Sequence, residues 1–333
     1  MSLPKIALIF LGGTITMMPQ DDGGIAPSLN AEQLLAAVPG LADLAELCVV
    51  QKAALPSASL TLNGIAALAV EIDVLYRQGI DGIVVVQGTD TIEETAFLLD
   101  LLVQSENPLV VTGAMRGPAM PGADGSANLL ASVLVASSSI AVELGALVVM
   151  NDEIHAARFV QKSHSFQPSA FCSPDVGPLG YIVEKQVRLY VKPRSFKLAP
   201  VNPSFQCASI ALVKVALDDN GWLLEKLRGL EYAGVVIEGV GAGHVGANVV
   251  QHLAELARMR PVILASRVHS GGMLSHTYGY PGSEIDLLGR GLIAGGFLSG
   301  LKARLLLAVL CGNGHQHQEI DGLFKQYLSS SLY

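Results

Sequence analysis

The chain has 333 residues, half of them hydrophobic and 15% charged, with a formal net charge of −8 and a mean hydropathy of +0.46. That length favours two domains, and that composition fits sheets covered on both faces and excludes a disordered chain. An acidic pI of about 5.5 with no basic cluster excludes a phosphate-backbone partner such as nucleic acid.

Ile6 to Leu11 is an apolar run that ends in Gly12-Gly13-Thr14-Ile15. The two glycines allow a sharp turn and a close approach of ligand to backbone, which leaves the Thr14 hydroxyl presented at a strand end. Residues 1 to 11 do not read as a signal peptide, because Lys5 enters directly into the strand and no small-residue cleavage site follows. Met17 to Pro27 is rich in Gly, Asp, Gln and Met and has no apolar period; it reads as a loop of roughly ten residues, long enough to be a lid. Ala31 to Val38 reads as a short helix closed by Pro39-Gly40. Cys48 to Val50 reads as a strand leading to the polar loop Pro56-Ser57-Ala58-Ser59, and Leu62 to Tyr76 as a helix.

Ile83 to Val86 is β-branched without alternation, which suits a strand covered on both faces in a parallel sheet. Thr91 and Glu94 have the spacing of a capping box, ahead of Ile92, Ala96, Leu99 and Val103 at helical intervals. Glu93 and Glu94 complement the helix dipole. Thr89 and Asp90 therefore fall between a strand's carboxyl end and a helix amino end, where open α/β sheets bind ligands and backbone N–H groups favour negative charge. Taken locally, Thr89-Asp90-Thr91 reads first as a plain helix cap. The second cluster of the same design at Thr14 is what points to a site.

Pro108 to Val111 makes a further strand that ends in Thr112-Gly113-Ala114-Met115-Arg116, with Asp124 placed to cap a helix from Ser126. Asn128 to Val142 is the most membrane-like segment, but it carries three consecutive serines and meets Glu143 before a spanning length of about 20 residues; it reads as a buried helix. Ala146 to Met150 is a strand whose end carries Asn151, Asp152 and, ten residues on, Lys162. Repeated strand–loop–helix units predict a large α/β domain with a mostly parallel, doubly wound sheet.

Pro193, Pro200 and Pro203 mark a linker over 192–207, which divides a catalytic domain at 1–191 from a smaller α/β domain at 208–333. In the latter, Ile210 to Val215, Gly234 to Ile237 and Val262 to Ala265 read as strands, with helices near 223–230, 249–259 and 302–310. Cys48, Cys172, Cys207 and Cys311 lack C-x-x-C spacing and lie mostly in apolar runs. They read as buried free thiols, which points to a reducing compartment; the expected setting is cytoplasmic, or periplasmic if a leader has been removed. His315 and His317 fall at i, i+2 on a surface segment and do not face one way as metal ligands. His155, His164 and His269 lie in predicted loops and receive no role.

Together these residues resemble the bacterial L-asparaginase/glutaminase family of amidohydrolases, from about residue 4 to the final helix. Gly12 to Ile15 is similar to the family's first threonine motif and Gln87-Gly88-Thr89-Asp90-Thr91 to its second. Thr112 to Arg116 with Ala123-Asp124-Gly125 and Asn128-Leu129 is similar to a third, and Val148 to Asp152 leading to Arg158 and Lys162 to a fourth. The resemblance implies that Thr14 is the nucleophile and that Thr89, Lys162 and Asp90 form a supporting triad. It further implies that Ser57 holds the substrate's α-carboxylate and Asp90 its α-ammonium, that Gly13 and Gly88 touch substrate, and that Ala114 and Met115 line the amide pocket. The implied reaction is hydrolysis of the L-asparagine side-chain amide, with L-glutamine as a further candidate. The resemblance implies no metal or organic cofactor, and it implies a homodimer or homotetramer with sites near a subunit interface.

The chemistry is coherent. A threonine hydroxyl needs a base to become a nucleophile, and a lysine can serve if burial and neighbours lower its pKa; the tetrahedral intermediate needs N–H donors, which glycine-rich turns supply.

Three positions depart from the family pattern. Gly24 stands where a mobile-loop tyrosine helps activate the nucleophile, and Tyr278 is the candidate to replace it. Where a neighbouring subunit supplies a glutamate, this chain has Thr277 or Tyr278, with Glu284 some residues later. Gln87 replaces a histidine, and His244 a common Asn or Ser at a substrate-binding position. Two rivals remain at this stage. Gly241-Ala-Gly-His-Val-Gly246 satisfies the dinucleotide fingerprint of an NAD(P)-dependent oxidoreductase, with Arg267 at the next strand end, and a non-catalytic amino-acid-binding protein could use the same pocket with Thr14 idle.

Overall fold

The computed structural model describes residues 2–19, 25–27, 38–194, 196–198 and 205–330. Gly24 and the helix expected over 31–38, Val38 apart, lie outside them. The chain divides into two compact units, Met1–Pro200 and Val201–Tyr333.

The first unit runs β1 (Lys5–Phe10), β2 (Met17–Pro19), β3 (Ile25–Pro27), β4 (Glu46–Gln51), α1 (Leu62–Arg77), β5 (Gly82–Val86), α2 (Ile92–Leu102), β6 (Leu109–Thr112), α3 (Gly125–Ala136) and β7 (Ala146–Met150). Strands β7, β6, β5, β1 and β4 are parallel neighbours in that order. Beyond Lys5, every residue of β1 is buried, as are all of β5, β6 and β7, which explains apolar runs without alternation. Helix α3 packs on the face that carries Ile6, Leu8, Phe10, Val84 and Val86. The intervening Ala7, Ile9 and Val85 are equally buried. The chain leaves β1 for β4 in one direction and β5 for β6 in the other, so the crevice at the carboxyl ends of β1 and β5 is the switch point of the sheet.

The sheet does not stop at its parallel part. After β7 come β8 (Glu153–Ala156), a separate antiparallel ribbon of β9 (Gln161–Lys162) and β10 (Phe171–Cys172), then β11 (Gly180–Val183) and β12 (Gln186–Leu189). Strands β8, β11 and β12 extend the sheet antiparallel beyond β7, giving eight strands. The ends of the expected lid loop pair as well, Met17–Pro19 against Ile25–Pro27.

The second unit carries β13 (Ile210–Lys214), α4 (Trp222–Leu227), β14 (Gly234–Gly239), α5 (Val250–Met259), β15 (Val262–Ser266), α6 (Glu284–Gly289), β16 (Ile293–Ala294), α7 (Gly300–Gly312) and α8 (His317–Ser330). Its four strands are parallel and in sequence order. Helix α7 packs on β13, β14 and β15 and is apolar nearly all round, in keeping with its full burial from Leu305 to Leu310.

Several expectations are corrected. The apolar segment 128–142 is not one helix: α3 stops at Ala136 and a 3-10 turn follows at Ser139–Ala141, because the serine run offers side-chain competitors to the backbone. No described helix is long and apolar enough to cross a membrane. All four cysteines are free, but Cys48 is exposed and the other three are only partly buried. Burial pushes the Cys207 and Cys311 thiols up to about 11. His315 precedes α8 and His317 opens it, and among the described residues no group of three or more His, Cys, Asp or Glu could hold a metal.

Candidate active site

The first two motifs meet through their glycines. Leu11 still donates its N–H to Val86 O at 2.8 Å, after which Gly12 and Gly13 take φ of 110° and 105°, a region that side chains avoid. At Gly13 space is limiting too: a Cβ would lie 2.3 Å from Gly88 N and 2.5 Å from the Gln87 carbonyl carbon. Gly88 in turn abuts Ser57, whose Oγ would sit 2.8 Å from a Cβ there. Gly13, Ser57 and Gly88 thus touch, and each glycine is followed by a threonine that opens a 3-10 turn, Thr14–Thr16 and Thr89–Thr91.

This contact is testable. Gly13→Ala is expected to destabilise the first unit by at least about 3 kcal/mol, through strain and overlap together. Gly40, with φ of 86° and nothing within 4 Å of its would-be Cβ, isolates the strain, so Gly40→Ala should cost only about 1–2 kcal/mol. Equal losses in denaturant unfolding would show that the Gly13–Gly88 contact is not tight.

Thr89 is buried, at 7% exposure. Lys162 reaches it from β9, held opposite Phe171 of β10; its Nζ donates to Thr89 Oγ1 at 2.9 Å and to Asp90 Oδ1 at 2.6 Å. The lysine side chain is 12% exposed and the aspartate 71%, so the pair runs from a dry end to a wet one. Asp90, Lys162, Ser163, His164 and Ser165 line a concavity of about 330 Å³. His164 Nδ1 accepts the N–H groups of Phe166 and Gln167.

The expected capping box is not formed. Thr91 makes no side-chain cap; its hydroxyl donates to Ser57 O at 3.1 Å and accepts from Gln87 Nε2 at 3.2 Å. Gln87, fully buried, also donates to Gly88 O. The residue that departs from the family histidine therefore ties the second motif to the Ser57 loop.

Asp124 does not cap its helix either. Its carboxylate accepts the N–H groups of Met115 and Arg116 at 3.0 and 2.9 Å and Asn128 Nδ2 at 3.0 Å. Asn128 also donates to Gly113 O and accepts the N–H of Asn151, joining the third and fourth motifs. Ala114 is fully buried and Met115 partly. A Cβ on Gly125 would lie 2.7 Å from Ile15 Cγ1, so the third motif packs on the residue after Thr14.

Arg158 is buried beside Asp100 at 3.7 Å and donates to Arg194 O. His155 is fully buried, with Nδ1 3.0 Å from Ser173 Oγ and Nε2 3.2 Å from Glu153. That hydroxyl–imidazole–carboxylate row has Ser173 at 4% exposure and a Glu153 whose pKa is raised by burial. Its hydroxyl and imidazole are buried while the Glu153 side chain is 31% exposed, and it braces β8 against the end of β10.

His244 and Tyr278 belong to the second unit and cluster there, ring centroids 5.0 Å apart. The tyrosine hydroxyl bonded to His244 is not that of Tyr278 but that of Tyr280, 2.8 Å from Nδ1. Glu284 is fully buried and engaged by Thr277 N, Tyr278 N and His244 Nε2; a carboxylate so occupied is not on offer to a substrate ammonium. Nothing in the local sequence marks Tyr280 except the string of aromatic and histidine residues from His276.

The dinucleotide fingerprint fails on geometry. Gly243 and His244 spend their N–H groups on Val240 O at 3.1 and 2.9 Å, and α5 begins only at Val250, four residues past Gly246. Gly246 caps a 3-10 turn, Ala247–Val249, rather than an α-helix, and the N–H groups of Gly243, His244 and Val245 are already paired within the unit and are not free for a pyrophosphate. Arg267 Nη1 donates to Val215 O.

Known proteins agree with the pattern of motifs. Residues 5–195 match the family model described as asparaginase, N-terminal, and residues 209–324 the glutaminase/asparaginase C-terminal domain. A probable L-asparaginase of Deinococcus radiodurans is 37% identical, covering 98% of each chain. A glutaminase-asparaginase of Pseudomonas aeruginosa is 33% identical over 98% of this chain and 91% of its own. Among solved structures, that of a probable cytoplasmic L-asparaginase from Campylobacter jejuni superposes with a TM-score of 0.87 at 32% identity, covering 97% of this chain and 99% of the other.

Proposed function

The chain belongs to the bacterial L-asparaginase family, and on that premise we propose that it hydrolyses the side-chain amide of L-asparagine, and of L-glutamine as a second substrate, through a threonine nucleophile. The observation that carries this reading is the Lys162–Thr89–Asp90 chain of hydrogen bonds at a switch point where Gly13 and Gly88 bring the two threonine turns together.

Thr14 Oγ1 attacks the amide carbon, the C–N bond breaks with a proton delivered to nitrogen, and ammonia leaves an ester on Thr14 that water then cleaves. Thr89 Oγ1 accepts from Lys162, so its own O–H is left to donate towards the reactants. Asp90, mostly exposed, keeps Lys162 in place through Oδ1 and has a second oxygen for the substrate's ammonium group. Ser57, Gly13 and Gly88 form the carboxylate end, and Ala114 and Met115 the wall of the amide pocket. By family resemblance His244 and Tyr278 are assigned to substrate binding, and the assembly to a homodimer or homotetramer. The free cysteines suit a cytoplasmic setting.

Ammonia release from L-Asn, L-Gln, D-Asn and β-aspartyl dipeptides tests the reading. L-Asn is expected to be turned over fastest, with no dependence on NAD(P). A folded protein that binds aspartate in calorimetry but releases no ammonia from any of them would instead be an amino-acid-binding protein.

A further inference from the structure

The first unit holds a cavity of about 370 Å³ between the end of β4, the 53–61 loop and α1, and the threonine mechanism leaves it unused. Its inner wall is apolar, with Leu11, Ile65 and Leu68 all buried. Its mouth is charged, because Lys52 and Glu71 also line it and their side chains are 37% and 36% exposed. Lys52 Nζ donates to Glu71 Oε1 at 2.7 Å and lies equally close to Oε2.

The space has a local origin. Thr61, Gly64, Leu68 and Glu71 follow one another at steps of three and four, which puts them on one face of α1, and the small Gly64 and Ala67 fill little of what lies before it. Gly64 is not there for its backbone: it has no positive φ, and only Thr61 Oγ1 lies within 4 Å of its would-be Cβ. The opposite wall belongs to the loop that carries Ser57. Leu55, Ser59 and Leu60 line the cavity on either side of that buried serine. Leu55 N–H donates to Leu11 O at 3.0 Å and Leu60 N–H to Ser57 O at 3.2 Å, so a molecule packed on these leucines bears directly on the Ser57 turn.

The lining selects a class of ligand. A half-exposed ion pair contributes little to stability, so Lys52 and Glu71 are free to exchange each other for a molecule that brings both charges. Its carboxylate then meets the Lys52 ammonium and its ammonium the Glu71 carboxylate, whereas a molecule with one charge leaves one partner unpaired. The inner wall takes an apolar side chain; a polar one would lose its water there without gaining a partner. The volume lies at the small end of the range for ligand sites, which suits a single amino acid. We propose that this cavity binds a free α-amino acid with an apolar side chain, such as leucine, as an effector that steadies the Ser57 loop. The site itself stands independently of the asparaginase reading above; the effect on Ser57 and its substrate carboxylate rests on that reading.

Calorimetric titration with L-leucine tests the site. Two analogues that each lack one charge, 4-methylpentanoate and 3-methylbutylamine, are expected to bind roughly tenfold more weakly or worse. Ala67→Phe fills the cavity from an exposed position on α1, and Lys52→Met and Glu71→Gln each remove one charged partner; all three should weaken leucine roughly tenfold and leave aspartate affinity within about twofold. For the effect on Ser57, saturating leucine is expected to lower KM for L-asparagine roughly fivefold with kcat unchanged, and in calorimetry aspartate should tighten leucine by the factor by which leucine tightens aspartate. No leucine binding, or binding that survives both Ala67→Phe and Lys52→Met, overturns the site. Leucine that binds the cavity but leaves KM unchanged, or raises it, overturns the effector role. A wild-type protein that releases no ammonia defeats the asparaginase reading instead; the titrations with the three variants then still decide whether the cavity takes an apolar amino acid.

Discussion

Thr14→Ala is expected to lower kcat for ammonia release from L-asparagine by roughly 10⁴-fold or more, the scale on which removing a nucleophile acts when the rest of a site is intact. The backbone that presents residue 14 is set by Gly12 and Gly13 at positive φ and by the contact of Gly13 with Gly88, none of which involves the threonine side chain. Alanine can therefore occupy the same 3-10 turn, and the unfolding free energy should change by no more than about 1 kcal/mol. Aspartate affinity should be nearly retained, since Ser57 and Asp90 are untouched. Thr14→Ser sharpens the test: it keeps the oxygen and loses only the methyl group that restricts χ1, so activity should stay within about a hundredfold of wild type. Rapid quench with mass spectrometry should find an acyl group on residue 14 in wild type and not in the alanine variant. If Thr14→Ala kept kcat within tenfold, the attacking oxygen would have to be sought at Thr89 or in water.

What could be read from the sequence depended on how local the cause was. Strands β1, β5, β6 and β7 are buried on both faces, so each appears as an unbroken apolar run. The Gly12-Gly13-Thr14 and Gly88-Thr89 turns were legible because they sit at strand ends in a parallel sheet. The antiparallel extension was not. Asn151 and Asp152, at φ of 53° and 61°, make the two-residue turn from β7 into β8; that pair carries the chemistry of such a turn, but it reads equally as a polar motif at a strand's end. Glu184 and Lys185 make an equivalent turn between β11 and β12 at φ of 53° and 60°, and neither residue type announces positive φ. Half-exposed strands on either side gave no apolar run to compensate.

Polar partners were harder still. Thr91 and Asp124 look like helix caps, yet each spends its side chain on a neighbouring motif, because the turns that converge at the switch point leave buried N–H and C=O groups that need partners. Glu284 looks like an ordinary first-turn acid; only the fold shows it buried under His244. Lys162 sits on a two-residue strand, too short for any periodicity. Only the resemblance singled it out from other lysines, and the return of the chain through β8 explains how it arrives at Thr89.

Lys162→Met is accordingly expected to reduce kcat by roughly 10²–10⁴-fold, the range for loss of a positioned proton-transfer group. Methionine preserves most of the stem that burial holds, so packing changes little. Two hydrogen bonds disappear, to Thr89 Oγ1 and Asp90 Oδ1. The Asp90 end is 71% exposed, and water can replace the ammonium there, so stability should fall by about 1 kcal/mol or less. The Thr89 end is different. Its Oγ1 is nearly dry and would lose the donor that makes its own proton easier to release, so the loss should appear in kcat rather than in KM. Lys162→Arg restores charge without restoring the point donor: the planar guanidinium spreads its donors across a fork and cannot give up its proton. It should therefore recover stability but not rate. Asp90→Asn divides the roles further, because it keeps the bulk beside Lys162 while removing the charge proposed to meet the substrate's ammonium group; KM should rise more than in Lys162→Met. A methionine variant within threefold of wild-type kcat would make Lys162 a structural tie between β9 and the Thr89 turn, and the proton for departing ammonia would have to come from another group.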